Sequence, residues 1–117
     1  MSGYLTTHVL DTAQGRPAEG LRVELFRLDG EARDRVGEAV TNADGRTDAP
    51  ILPPDGFETG TYELVFHCGE YLTRTGVPPE APRFLDVVPL RFGMSQVAHY
   101  HVPLLLGAHG YSPYRGS

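Results

Sequence analysis

Apolar and polar residues alternate along most of this chain. In Leu21-Arg22-Val23-Glu24-Leu25-Phe26-Arg27, and again in Tyr62-Glu63-Leu64-Val65-Phe66, a large apolar side chain recurs at every second position. A period of two sends successive side chains to opposite faces of an extended strand, so each run reads as a half-buried β-strand. Turn-forming groups punctuate these runs: Gln14-Gly15-Arg16-Pro17, Asp29-Gly30, Ala43-Asp44-Gly45, Pro53-Pro54-Asp55-Gly56 and Glu58-Thr59-Gly60. Short strands between Gly/Pro turns describe an all-β sandwich or barrel. The pattern predicts strands over residues 4–11, 21–28, 36–42, 49–52, 61–68, 87–93 and 97–107. Glu70 to Thr75 predicts a short helix, which Gly76 and the prolines Pro78, Pro79 and Pro82 bring to an end.

Parity along the strands sorts the side chains into two faces. In the first strand Thr7 and Val9 share one side, while Thr6, His8 and Leu10 share the other. Val9, Val23, Leu25, Leu64, Phe66 and Val102 form the expected inner face. At roughly 1.5–3 kcal/mol per fully buried apolar side chain, such a set stabilises a small sandwich. The outer face carries His8, His99 and His101 beside Leu10, Pro103 and Leu105. His99 and His101, two apart on a strand, present their imidazoles on one wall, close in sequence to a tail holding Tyr114 and Arg115. Imidazoles mixed with apolar side chains do not make an ordinary solvated face. They suggest a contact between subunits.

At 117 residues the chain is expected to form a single domain, 1–117. Hydrophobic residues make up 40% and charged residues 21%, a globular balance. No apolar run approaches the roughly 20 residues of a membrane span. Met1-Ser2-Gly3-Tyr4 has no basic segment leading into an apolar one, so no secretory signal is expected. The single cysteine, Cys68, excludes an intrachain disulfide, and together these features point to the cytoplasm. A net charge of -5 argues against nucleic acid as a partner. All 10 basic residues are arginine, which removes Schiff-base lysines and P-loop lysines from consideration. Cationic chemistry falls to arginine or histidine.

Three blocks of sequence together resemble the transthyretin-related family. They are Leu5-Thr6-Thr7-His8-Val9-Leu10-Asp11 with Gly15-Arg16-Pro17-Ala18, then Thr41-Asn42-Ala43-Asp44-Gly45-Arg46, and finally His99-Tyr100-His101-Val102-Pro103-Leu104-Leu105-Leu106 with Gly110-Tyr111-Ser112. The closing Tyr114-Arg115-Gly116-Ser117 is similar to the terminus of the family's enzyme branch, the 5-hydroxyisourate hydrolases. The resemblance implies a transthyretin-like sandwich of two four-stranded sheets with one short helix. It implies a homotetramer whose pockets open between subunits, and no metal or organic cofactor. The implied reaction opens the six-membered ring of a small purine-derived substrate, 5-hydroxyisourate, giving 2-oxo-4-hydroxy-4-carboxy-5-ureidoimidazoline. The catalytic residues carried over are His8, Arg46, His101 and Ser117, with His8, Arg46, His99 and Tyr114 at the substrate.

Physical chemistry allows those roles. Opening a cyclic amide needs an activated water and support for a tetrahedral oxyanion. Histidine titrates near neutrality and serves as a base without a metal. Arginine offers a planar fork of donors to carbonyl oxygens, and its charge disfavours protonation of a neighbouring imidazole. On this reading His8 and His101 activate water and move the proton, Arg46 holds the oxyanion, and Tyr114 and Ser117 shape the pocket. Each residue also has a plainer interpretation. His8 is a strand histidine, Arg46 caps a hairpin turn, and His99 with His101 forms a metal pair lacking a nearby third ligand. Asp11 and Asp48 fit turn or strand-end carboxylates, Cys68 an inert thiol, and His67 and His109 show no partner. No Gly-x-Ser-x-Gly elbow surrounds Ser112 or Ser117, so water rather than a covalent nucleophile is expected to attack. One rival function is a carrier holding an apolar ligand in the same channel, though histidines and an arginine are poor walls for such a ligand. The other is a purely structural sandwich module.

Overall fold

Burial in the first strand repeats the alternation of its sequence. Leu5, Thr7, Val9 and Asp11 are buried, and Tyr4, Thr6, His8 and Leu10 are half-buried. The computed structural model describes residues 2–116. Its strands are β1 (Tyr4–Asp11), β2 (Arg16–Pro17), β3 (Arg22–Asp29), β4 (Ala32–Val40), β5 (Gly60–His67), β6 (Val87–Met94), β7 (His99–Leu106) and β8 (Tyr111–Pro113). One helix, α1 (Cys68–Arg74), follows β5, and a single 3-10 turn spans Pro54–Gly56. No helix among the described residues is long and apolar enough to cross a membrane.

The strands form two four-stranded sheets, ordered β2-β1-β7-β8 and β4-β3-β5-β6. All named pairs are antiparallel except β1 with β7, which run parallel from Tyr4↔His99 to Asp11↔Leu106. The sheets pack face to face over Leu5, Val9, Val23, Leu25, Leu64, Phe66, Leu104 and Leu106, each fully buried. All six side chains expected on the inner face lie in this core. Cys68 is buried there too, and burial pushes its thiol up to about 12, which leaves it inert.

Four differences from the expected elements have physical causes. No strand forms over 49–52: Pro50 and Pro53 lack amide hydrogens, so the segment makes one bridge, Leu5↔Leu52, along the edge of β1. β4 begins at Ala32 rather than 36, because Arg33 and Arg35 on this edge strand reach Glu63 and Glu24 instead of following an apolar alternation. The helix begins at Cys68, where the Gly69 amide donates to the Asp86 carbonyl (2.9 Å) and a side chain at Gly69 would strike Asp86. β2 and β8 are too short to show a period, and the expectation did not include them.

Candidate active site

The parallel register of β1 and β7 builds the wall of the site. It sets Tyr4 beside His99, Thr6 beside His101 and His8 beside Pro103. Equal parity turns these side chains to the outer face of the first sheet, away from the core. The rings of His99 and His101 lie 6.1 Å apart between centroids, and those of His8 and His101 lie 6.4 Å apart. The Thr6 hydroxyl sits between His99 Nε2 (2.7 Å) and His101 Nδ1 (2.8 Å).

Arg46 arrives from a different part of the chain. After β4 the backbone turns at Asn42, whose side-chain oxygen accepts from the amides of Asp44 (2.9 Å) and Arg46 (3.2 Å). This Asx turn needs Gly45 at φ +74, and a side chain there would run into the Val9 carbonyl. The Val9 amide donates to the Gly45 carbonyl (2.8 Å), pinning the turn to β1, and Arg46 bridges His8. Asn42 also donates to Asp48 Oδ1 (3.0 Å), so Asp48 is a structural carboxylate, as expected.

The tail closes the third side. Beyond β8 the Gly116 amide donates to the His101 carbonyl (2.7 Å), and a Cβ on Gly116 would stand 2.6 Å from Cδ2 of His101. Only glycine lets the chain pass this close to the imidazole. Tyr114 lines the cleft, whereas the Arg115 guanidinium stacks over the Tyr100 ring at 4.3 Å and anchors the tail from the other side of the sheet. Ser117 lies outside the described residues.

The result is a cleft of about 600 Å³ lined by Tyr4, Thr6, Arg46, His99, His101 and Tyr114. Of the residues singled out from sequence, Arg46, His99, His101 and Tyr114 line it and His8 stands against the His101 ring. Sequence reasoning missed Tyr4, Thr6, Thr47 and the Asn42 turn. Tyr4 and Thr6 did carry a signal, since they share parity with His8.

The electrostatics favour neutral imidazoles. His101 is pushed below the ordinary 6.5 first by burial, then by the Arg46 guanidinium and by the neighbouring His8 and His99. His8 is lowered by burial and by Arg46, partly offset by the Asp44 carbonyl that accepts from its Nε2–H at 2.9 Å. With Nε2 donating, neutral His8 has a bare Nδ1. His101 meets Thr6 through Nδ1, leaving Nε2 without a hydrogen-bond partner among the described residues. No group of three His, Cys, Asp or Glu side chains among the described residues has the arrangement to hold a metal.

Histidines elsewhere are accounted for by their neighbours. His67 is bound to Glu24 at 2.6 Å and approached by Arg22, and His109 lies against the Phe84 ring at 5.8 Å. Asp11 accepts from the Tyr71 hydroxyl (2.7 Å) and the Gln14 amide (2.9 Å), a structural role at the end of β1.

The family model described as HIUase/Transthyretin matches residues 5–116. A 5-hydroxyisourate hydrolase of Rhizobium meliloti (strain 1021) is 59% identical over 117 residues, covering 99% of this chain and 98% of the relative. The solved 5-hydroxyisourate hydrolase of Klebsiella pneumoniae is 32% identical, with a TM-score of 0.82 over 98% of this chain and 99% of that one. Transthyretin from the sea bream Sparus aurata superposes with a TM-score of 0.85 over 96% of this chain and 95% of that one. At 23% identity it shares the fold.

Proposed function

The chain belongs to the HIUase/Transthyretin family, and we propose that it hydrolyses 5-hydroxyisourate to 2-oxo-4-hydroxy-4-carboxy-5-ureidoimidazoline. One observation carries this reading beyond likeness. His101, biased toward neutrality, shares a cleft with the Arg46 guanidinium, and His8, biased the same way, stands beside its ring, which supplies a base and an oxyanion partner for one small ring.

Water attacks the ring carbonyl. His101 Nε2, which has no hydrogen-bond partner among the described residues, takes its proton, and the Arg46 guanidinium receives the charge that develops on the carbonyl oxygen. The C–N bond then breaks, and the proton passes to the departing ring nitrogen. His8, its Nδ1 bare, stands beside His101 and assists the transfer. His99 and Tyr114 contact the substrate from the two sides of the cleft, and Ser117 joins the catalytic set on family likeness. An imidazole base, in place of a metal-bound hydroxide, is supported by the guanidinium of Arg46, which repels a cation.

The same reading makes residues 1–117 one catalytic domain working in the cytoplasm as a homotetramer. Half-buried Leu10 and Leu105, on the face that carries the histidines, support a subunit contact there. Static light scattering tests the tetramer, and an active monomer would refute it.

The assay generates 5-hydroxyisourate in solution from urate and uricase, and follows its ultraviolet decay with and without the protein. Acceleration at neutral pH is expected. No acceleration would remove the hydrolase and leave the carrier reading.

A further inference from the structure

We infer that Thr6 is a positioning residue that ties the protonation of His101 to that of His99, and that its hydroxyl moves the charge His101 gains in each turnover onto His99. The inference rests on the hydrolase reading above. Hydrolysis of an acylated urea nitrogen to a carboxylate releases one proton net near neutral pH, because the freed urea nitrogen is not basic. The first proton of the attacking water ends on the departing nitrogen, and the second leaves the new carboxylic acid. Held on His101, that second proton adds a positive charge beside the fixed one at Arg46.

The geometry supplies another place for the charge. Thr6 Oγ1 lies 2.7 Å from His99 Nε2 and 2.8 Å from His101 Nδ1. A hydroxyl carries a single hydrogen, so it donates to one ring and accepts from the other. With both rings neutral, one facing nitrogen is therefore protonated and the other is bare. When His101 Nδ1–H donates to Oγ1 and the hydroxyl donates to His99 Nε2, His101 Nε2 keeps its lone pair for the reaction. The β-branched threonine, restricted at χ1, holds the bridge in place.

Once His101 gains a proton at Nε2, the chain of bonds can shift. The Nδ1–H bond of His101 breaks as an O–H bond forms on Thr6, while the original O–H breaks and an N–H bond forms at His99 Nε2. His101 ends neutral with its proton on Nε2, and the charge ends on His99. Around His101 stand Arg46, His8 and His99, with Tyr114 and Gly116 of the tail lining the same cleft. Around His99 stand Tyr4, Thr6 and His101. His99 is exposed, and Tyr4 stacks on it at 4.2 Å between centroids with planes 7° apart. A cation is favoured on an aromatic face in contact with water over a site beside a guanidinium. When product leaves and water refills the cleft, the shift reverses, His101 Nε2 gives its proton to that water, and the bridge is back in its first state.

Thr6→Val keeps the shape and removes the hydroxyl, while Thr6→Ser keeps the hydroxyl. Nitrogen-15 spectra of the imidazoles, taken without substrate, are expected to show the same tautomer, Nδ1–H, on His99 and His101 in the wild type and in Thr6→Ser, because the bridge joins Nε2 of one ring to Nδ1 of the other. That match is expected to be lost in Thr6→Val. In turnover, Thr6→Val is expected to lose about tenfold or more in kcat with KM nearly unchanged, and Thr6→Ser to recover most of it. Different tautomers on the two rings of the wild type, or a Thr6→Val variant with wild-type kcat and pH profile, would overturn the inference. A wild type that fails to hydrolyse 5-hydroxyisourate defeats the hydrolase reading instead, while the spectra still decide the coupling.

Discussion

The His8 imidazole donates from Nε2 to the backbone carbonyl of Asp44 at 2.9 Å, within the turn that ends at Arg46. A single bond thus fixes the tautomer of one candidate base and steadies the loop that delivers the guanidinium. Asn42 holds the same turn from inside, its side-chain oxygen receiving the amides of Asp44 and Arg46.

Asn42→Ala removes that acceptor. The loss is expected to cost about 1 kcal/mol of stability, the scale of one or two partly exposed hydrogen bonds. Turnover is expected to fall by about tenfold or more, because Arg46 and the Asp44 carbonyl lose their placement together. Thermal melting and the 5-hydroxyisourate decay assay measure the two effects separately. A variant with unchanged turnover would show that Arg46 is held by other contacts.

The pH dependence follows from the lowered histidines. A neutral base is required, so kcat/KM is expected to fall at acid pH with a midpoint below the ordinary 6.5. Arg46→Gln removes one cause of the lowering, and the acid limb is expected to move upward even as the rate drops. Stability obeys the same sign. Between the lowered folded values and 6.5 the unfolded chain binds more protons than the native one, so stability declines as pH falls through that window. Rate profiles and melts from pH 5 to 8 test both statements, and an acid limb centred above 6.5 would contradict them.

Gly116→Ala places a methyl group 2.6 Å from Cδ2 of His101, so either the ring or the tail must move. A displacement near 1 Å at a reacting group can cost on the order of a hundredfold in rate. Stability is expected to change by less than about 1 kcal/mol, because the tail end contributes little to the core. The contrast between a nearly normal melt and poor turnover is the result to look for.

His101→Ala and Arg46→Ala remove the base and the oxyanion partner in turn. Each is expected to lower kcat by roughly a hundredfold or more while leaving circular dichroism and melting close to wild type. Either variant retaining near-normal turnover would reassign the missing role to another group.

Much of this architecture can be read from the amino-acid sequence alone. Val23 and Leu25 of β3, with Leu21 just before them, alternate cleanly because the strand is central, with a core on one side only, and such strands announce themselves. The Pro50–Pro53 stretch misled for an equally physical reason. Apolar Ile51 and Leu52 are buried as strand residues would be, yet the flanking prolines deny them a ladder. At the site, His99 and His101 were visible as a pair because a spacing of two is a local property. The Thr6 bridge was not, because it depends on the parallel register of two strands at opposite ends of the sequence, and no local pattern encodes that pairing.

That register also has a temporal meaning. Ninety-five residues separate Thr6 from His101, so β1 emerges from the ribosome long before its neighbour exists. Until β7 is made, the first strand lacks one of its hydrogen-bonding flanks, and the nascent chain has nothing with which to do chemistry. Long-range pairing of this kind is slow to form. Catalytic competence is therefore expected among the last properties a newly synthesised molecule acquires, and its appearance during refolding would serve as a clock for completion of the sandwich.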